Sequence, residues 1–282
     1  MAAEYSISEL CLVLEVSRSG YYAWQQRPVG PRALENGLLR RRLEELFEVN
    51  RRVYGSPRLT VSLKREGIQC SRNRVARHMR LLGLRARQKK AFRPKTTDSR
   101  HPHPIAPNRL KEVSPPKALN QVWVSDITYI ATGQGWVYLA GIMDLCSRKI
   151  VGWACADHMK RTLVQDALSQ AIAQRGPAAG LLHHSDRGVQ YASQDYRQAL
   201  QKIGSVPSMS GRGNCYDNAA MESFWSTLKT EWLHDKKFRN QQEAGLAIFD
   251  YIETFYNPKR LHSAVGYQSP VEFELELSNG TD

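Results

Sequence analysis

Apolar residues recur at helical spacing through the first eighty or so positions, lose periodicity, and then return as short strand-like runs. Residues 6–26 read as two short helical pieces. Leu10, Leu12, Val13, Leu14 and Val16 precede Ser17-Arg18-Ser19-Gly20, and Tyr21-Tyr22-Ala23-Trp24 follow. A helix, a glycine turn and an aromatic helix make either a small helix-turn-helix or an ordinary helical hairpin. Residues 34–83 predict three helices. Leu38, Leu39, Leu43 and Phe47 set the first, and Leu59, Val61 and Leu63 the second, which opens at Tyr54-Gly55-Ser56-Pro57-Arg58. Val75, Met79 and Leu82 set the third, with Ser71 as its N-cap and Gly83 as its stop.

Beyond Asn120 the period changes. Runs at 121–131, 136–145 and 149–156, parted by Gly133-Gln134-Gly135 and Ser147-Arg148, predict an antiparallel meander. A helix is expected at 161–174, a strand at 180–185, a helix at 193–202, a strand at 205–209, and helices at 217–233 and 241–256. This order predicts an α/β domain, a mixed five-stranded sheet with helices on both faces, behind an all-α region. Between the two lies a basic, proline-rich stretch. Six of the thirteen prolines fall between Pro94 and Pro116, which favours extended backbone over packing. His101 and His103 there lack cysteines at ligand spacing and read as solvated linker. The expected divisions are an N-terminal helical segment (1–33), a helix-turn-helix domain (34–92), a linker (93–117) and the α/β domain with a C-terminal helical extension (118–282).

Charge sharpens this division. Residues 1–117 hold 25 Lys and Arg against 10 Asp and Glu, a net +15, while residues 118–282 sum to −2. So uneven a field points to a polyanionic partner, and nucleic acid is the default. Arg72, Arg74, Arg77 and Arg80 fall off the apolar stripe of the third helix and are candidate DNA contacts, to base edges or only to phosphates. The five scattered cysteines form no CxxC pair, and no stretch approaches a membrane span. A reducing cytoplasm is the expected location.

Three carboxylates carry the candidate chemistry. Asp126 interrupts the apolar run Val122–Ile130, Asp186 ends the run Leu181–Ser185, and Glu222 lies in a helical pattern, with thirty-five residues between it and Asp186. A charge in an apolar strand is costly unless paired or bound to metal. Two strand aspartates and a helix glutamate can hold two divalent metals for in-line attack on a phosphodiester. On the glutamate helix, Met221, Phe224, Trp225, Leu228 and Trp232 form an apolar stripe, with Glu222 about 100° from its centre. Lys229 then sits nearly above Glu222 as a candidate DNA contact, Asn218 shares its face to orient the carboxylate or contact DNA, and Glu231 is a poor ligand on the opposite flank. His184 shares the strand face of Asp186, as a substrate contact or as a hydrogen-bonded core histidine. Asp144, expected to pair with Arg148, and Asp157, Asp195 and Asp217 read as strand-end, turn and helix-cap residues. Gly211-Arg212-Gly213-Asn214 reads either as a loop from which Arg212 reaches a phosphate or as a plain flexible connector.

The same words carry a resemblance. The two aspartates and the glutamate thirty-five residues on resemble the signature of DDE transposases and retroviral integrases. His184-Ser185-Asp186-Arg187-Gly188-Val189-Gln190-Tyr191 and Gly213-Asn214-Cys215-Tyr216-Asp217-Asn218-Ala219-Ala220-Met221-Glu222-Ser223-Phe224 are similar to the second-aspartate and glutamate blocks of the IS-three (IS3) family of bacterial insertion sequences. Lys229 matches that family's basic residue seven positions after the glutamate. Tyr54–Arg58 and Phe255–Pro270 also resemble it, and the likeness runs from about Ser6 to Glu274, as a second-reading-frame (OrfB) product.

The resemblance implies an RNase H-like integrase core and a DNA transposase that nicks 3′ ends at terminal inverted repeats and transfers the strand. It implies Asp126, Asp186 and Glu222 as catalytic metal ligands, two Mg²⁺ ions with Mn²⁺ as a substitute, and a nucleoid-associated protein. Arg260 and His262 become candidate DNA contacts, while Tyr256 and Tyr267 read as packing. The implied partners are double-stranded element ends and target DNA, further copies of the chain on DNA, and a first-frame (OrfA) product or fusion supplying a leucine-zipper segment upstream of the helix-turn-helix. Two rivals stay open: a repressor with an inert RNase H-like domain, and a structure-specific nuclease without strand transfer.

Overall fold

A computed structural model describes residues 5–87, 104–211 and 218–280 and divides into two compact units, 1–85 and 86–282. The first unit is helical. Helix α1 (Ile7–Val13) opens with a capping box between Ser6 and Glu9, and α2 (Arg18–Gln25) is capped by Ser17, whose hydroxyl accepts the Gly20 N–H. Gly20 therefore lies inside α2 and is not the turn. Its expected apolar neighbours Leu12, Val13, Leu14 and Val16 are exposed, and Cys11 is the buried residue of α1.

Helix α3 (Pro31–Val49) starts earlier than the apolar pattern alone gives, because Pro31 suits a first helical position. It buries Leu39, Leu43, Leu46 and Phe47, whereas Leu38 points outward. Helix α4 (Ser56–Arg65) adds Leu59 and Leu63. Helix α5 (Arg72–Leu81) adds Val75, His78 and Met79, with Leu82 only half-buried at its C-cap. The Ser71 hydroxyl accepts the Arg74 N–H at 3.2 Å, and Gly83, at φ 68°, closes the helix in the left-handed region.

The second unit is built on one five-stranded sheet, ordered β3-β2-β1-β4-β5. Strands β1 (Val122–Thr132), β2 (Gly135–Asp144) and β3 (Ile150–Ala156) form the expected antiparallel meander, and β4 (Leu182–Ser185) and β5 (Val206–Met209) join in parallel. Helices α6 (Arg161–Arg175) and α7 (Gln194–Lys202) supply the crossovers. They close one face over a core that includes Trp123, Ile142, Val151, Leu168 and Tyr196. Gly152 lets α6 settle onto β3: a Cβ there would lie 2.3 Å from the Ala167 carbonyl oxygen.

Helices α8 (Ala219–Leu228) and α9 (Gln241–Tyr251) cover the other face. Both long helices expected there end as π-turns, at Lys229–Leu233 and Ile252–Tyr256. The first π-turn breaks the expected apolar stripe. Met221, Phe224, Trp225 and Leu228 are buried, but the next inward residues are Glu231 and Leu233, with Trp232 only half-buried. Helix α10 (Pro270–Asn279), the element behind the expected C-terminal extension, is fixed by a Ser269–Glu272 capping box. Its Glu274 meets Arg175, Lys149 and the Ser147 hydroxyl.

Candidate active site

The sheet register brings the two aspartates together. Val122, Trp123 and Val124 of β1 stand beside Leu182, His183 and His184 of β4. The same offset carried two residues further sets Asp126 beside Asp186, the residue after β4. Neighbouring strands lie about 4.8 Å apart. On its other side Asp126 faces Gly141 of β2. A Cβ at Gly141 would come within 2.7 Å of Trp225 Cη2 and 3.2 Å of Met221 Cε. The bare glycine thus lets α8 sit down on β1. From there the Trp225 indole N–H donates to Asp126 Oδ2 at 3.0 Å. Asp186 Oδ1 accepts the Gly188 N–H at 2.9 Å, and a side chain at Gly188 would press on that oxygen. Glu222, next to Met221 on α8, is exposed.

The electrostatics tie the three acids. Burial, followed by the Asp186 carboxylate and more weakly by Glu222, pushes the Asp126 carboxyl up to about 7, against the hydrogen bonds from Ile127 and Trp225. Some of the Asp126 surface still reaches solvent. Partial burial raises the Glu222 carboxyl as well, although the residue as a whole is exposed. Lys229 is lowered by burial and partly restored by Asp126, and its Nζ lies 5.1 Å from the centroid of the Tyr129 ring. The three carboxylates are neighbours in charge but not a closed ligand cage: among the described residues, no three His, Cys, Asp or Glu side chains are grouped to hold one metal ion.

Several expected contacts find other work. His184 is fully buried, with Nδ1 2.8 Å from Ser208 Oγ and Nε2 3.0 Å from Ser210 Oγ, so it is the core histidine and not a DNA contact. Arg260 is equally corrected. It is 3% exposed, and its guanidinium grips Glu231 at 2.6 and 2.7 Å because that buried carboxylate, turned inward by the π-turn, needs a cation. His262 is half-buried, with Nε2 3.1 Å from Arg260 and its ring edge-on to Tyr256. Asn218 is buried at the N-cap of α8 and donates Nδ2–H to the Ser125 carbonyl at 3.0 Å, which leaves Oδ1 without a hydrogen bond. Asp144 accepts backbone N–H groups from Asn120, Cys146 and Ser147 and lies 3.7 Å from Arg175. Its acidic side chain thus pairs with Arg175 in place of Arg148.

In the first unit Arg74 is turned back onto α3, bonded to Glu35 and Asn36, while Arg72, Arg77 and Arg80 are exposed. Arg212, Asp217, His101 and His103 lie outside the described residues. The sequence reading placed Trp225 only in the apolar stripe and missed its grip on Asp126. A tryptophan one turn after the glutamate was the available signal.

Family profiles match most of the chain: an integrase core domain over residues 116–215, an HTH-like domain over 33–92, and a second integrase core domain profile over 222–276. The chain is 47% identical to the uncharacterized 31 kDa protein of insertion element IS600 from Shigella sonnei, over 94% of this chain and 97% of that one. It is 40% identical to the transposase of insertion sequence element IS904 from Lactococcus lactis subsp. lactis, over 86% and 95%. It is 38% identical to transposase InsF of insertion sequence IS3A from Escherichia coli, over 96% and 95%.

Proposed function

From the premise that the chain belongs to the IS3-family transposases, we propose that Asp126, Asp186 and Glu222 are its catalytic carboxylates. In this reading it nicks the 3′ ends of its element's terminal inverted repeats and joins them to target DNA. The carrying observation is the pairing of β1 with β4, which sets Asp126 beside Asp186, with the Glu222 helix seated against Asp126 through Trp225. A cluster of that kind, all oxygen and all acidic, suits a hard divalent cation. Asp126, Asp186 and Glu222 would hold Mg²⁺ ions, two in number, with Mn²⁺ as substitute. When bound, they activate the attacking hydroxyl and stabilise the leaving oxygen.

The chain's own residues prepare for this. Asp126 has to give up its proton to become a ligand. The Trp225 N–H fixes Oδ2 and thereby the plane of the carboxylate. The Gly188 N–H does the same for Asp186. Glu222 has to close on the two aspartates, a movement of α8 or its side chain. Lys229, near Asp126 and short of solvent, is placed to meet a phosphate.

Around this site we assign residues 34–92 to recognition of double-stranded element ends, with the exposed Arg72, Arg77 and Arg80 of α5 on the phosphates. Residues 93–117 bridge to the catalytic domain, 118–282. Arg212 is a further phosphate contact. Copies of the chain, with a first-frame product or fusion, assemble on DNA in the cytoplasm at the nucleoid. Among the described residues no helix is long and apolar enough to cross a membrane.

The test is Mg²⁺-dependent cleavage and joining of the element's terminal repeats, with Glu222→Gln beside the wild type. Glu222→Gln is expected to lose both reactions and keep DNA binding. Undiminished cleavage by that variant would refute the assignment.

A further inference from the structure

Strand β1 runs on past Asp126, while its pairing with β4 covers Val122–Val124. Alternation turns Tyr129 and Trp136 to the sheet face opposite Asp126, so the strip they form with Lys229 passes round the open edge of β1. The Lys229 ammonium lies over the Tyr129 ring. Tyr129 meets Trp136 of β2 edge-to-face, with centroids 4.9 Å apart and planes at 87°. Trp136 is 51% exposed, unusual for so large an apolar ring in a well-packed sheet. Just beyond it, the β1–β2 turn is tied to a basic segment: the Gly133 N–H donates to the Phe238 carbonyl at 2.8 Å. Lys236, Lys237 and Arg239 flank the buried Phe238, and all three are exposed. Lys236 rests on the Trp232 ring and Arg239 meets Glu243 at 3.5 Å, so this cluster keeps a positive balance. The strip therefore begins beside the carboxylates, presents an aromatic pair, and ends in cations.

An alternation of cations and aromatic faces is what a single nucleic-acid strand needs: charge for phosphates, rings for bases of any identity. We propose that this strip carries the DNA strand leaving the catalytic carboxylates, with Trp136 stacking on an unpaired base. The inference rests on the catalytic reading above. Ala131, the cross-strand partner of Trp136, stands five positions along β1 from Asp126. At ~3.3 Å per residue that is about 17 Å, or about five nucleotides at the ~3.4 Å spacing of a duplex strand. A more extended strand spans the distance with fewer.

The experiment uses the full chain and a short duplex with a single-stranded end, in which 2-aminopurine replaces each base in turn. Stacking on Trp136 quenches its emission. Quenching is expected to peak no more than about five nucleotides from the scissile phosphate. It should vanish with Trp136→Ala and survive with Trp136→Phe, and affinity for the single-stranded end should fall about fivefold with Trp136→Ala, the equivalent of ~1 kcal/mol per stacked base. An exposed position makes both variants foldable. No quenching by the wild type, or equal quenching by Trp136→Ala, overturns the inference. Glu222→Gln, measured alongside, should keep the quenching profile and lose cleavage. Cleavage kept by that variant sinks the catalytic reading on a separate signal.

Discussion

Replacing Arg260 with methionine tests whether this residue serves the fold or the DNA. Two guanidinium nitrogens lie 2.6 and 2.7 Å from the Glu231 oxygens, and the Tyr251 hydroxyl donates to the same carboxylate at 2.8 Å. Neither partner of the ion pair has appreciable access to water. Methionine fills much of the stem volume but leaves the buried Glu231 carboxylate without its guanidinium. Removing one partner of such a pair costs about 3–5 kcal/mol. For a unit of this size each kcal/mol moves the melting midpoint by ~2–4 °C. The midpoint of the catalytic unit should therefore drop by about 6–20 °C, read by near-ultraviolet circular dichroism. Arg260→Met combined with Glu231→Met should recover most of the loss, because it removes the stranded charge as well. A DNA contact would behave otherwise: an unchanged midpoint and a salt dependence of DNA binding shallower by about one. That result would refute the structural role assigned here.

Three further outcomes follow from the same geometry. The folded pKa of Asp126, about 7, lies above its ordinary value of 3.8. The native state thus keeps a proton that the unfolded chain releases, and without metal it loses stability as pH rises from about 4 to 7. Asp126→Asn is neutral throughout, so its melting-point advantage should widen between pH 5 and pH 8, and a constant difference would contradict the buried carboxyl. Gly141→Ala forces α8 away from β1 at Trp225. Cleavage should fall about a hundredfold, the penalty of a ~1 Å misplacement, with a cost of ~1–3 kcal/mol in stability; wild-type cleavage would show that Glu222 does not depend on this seat. Arg77→Ala should weaken DNA binding and reduce its salt slope by about one without a change in melting. Arg74→Ala, which loses Glu35 and Asn36, should first lower the melting point of the helical unit, and the reverse pattern would exchange their roles.

Much of the architecture was legible because each piece is local. Strand-like runs parted by Gly133-Gln134-Gly135 and Ser147-Arg148 predict the meander, and α6 falls within one residue of its expected span. The apolar runs that Asp126 interrupts and Asp186 ends likewise mark both acids as strand residues, while the pairing of the two strands is seen only in the folded sheet. What could not be read depends on partners distant in sequence. Glu231 and Arg260 are twenty-nine residues apart and look like surface charges until they meet inside. His184 reads equally as a substrate contact or a core histidine until Ser208 and Ser210 enclose it. Leu12, Val13 and Leu14 form an apolar run with the composition of a core and lie on the surface instead. Hydrophobic periodicity reports which residues prefer burial, and it does not report what each buried polar group will find.

The π-turn that follows α8 has a consequence for how this chain can vary. A π-turn amounts to one residue inserted into an α-helical phase, and here it swings Glu231 inward to its guanidinium. Deleting any single residue between Lys229 and Leu233 would restore regular winding and take away the inward turn of Glu231, leaving Arg260 opposite the wrong side chain. Residue types in that segment can drift. Its length cannot.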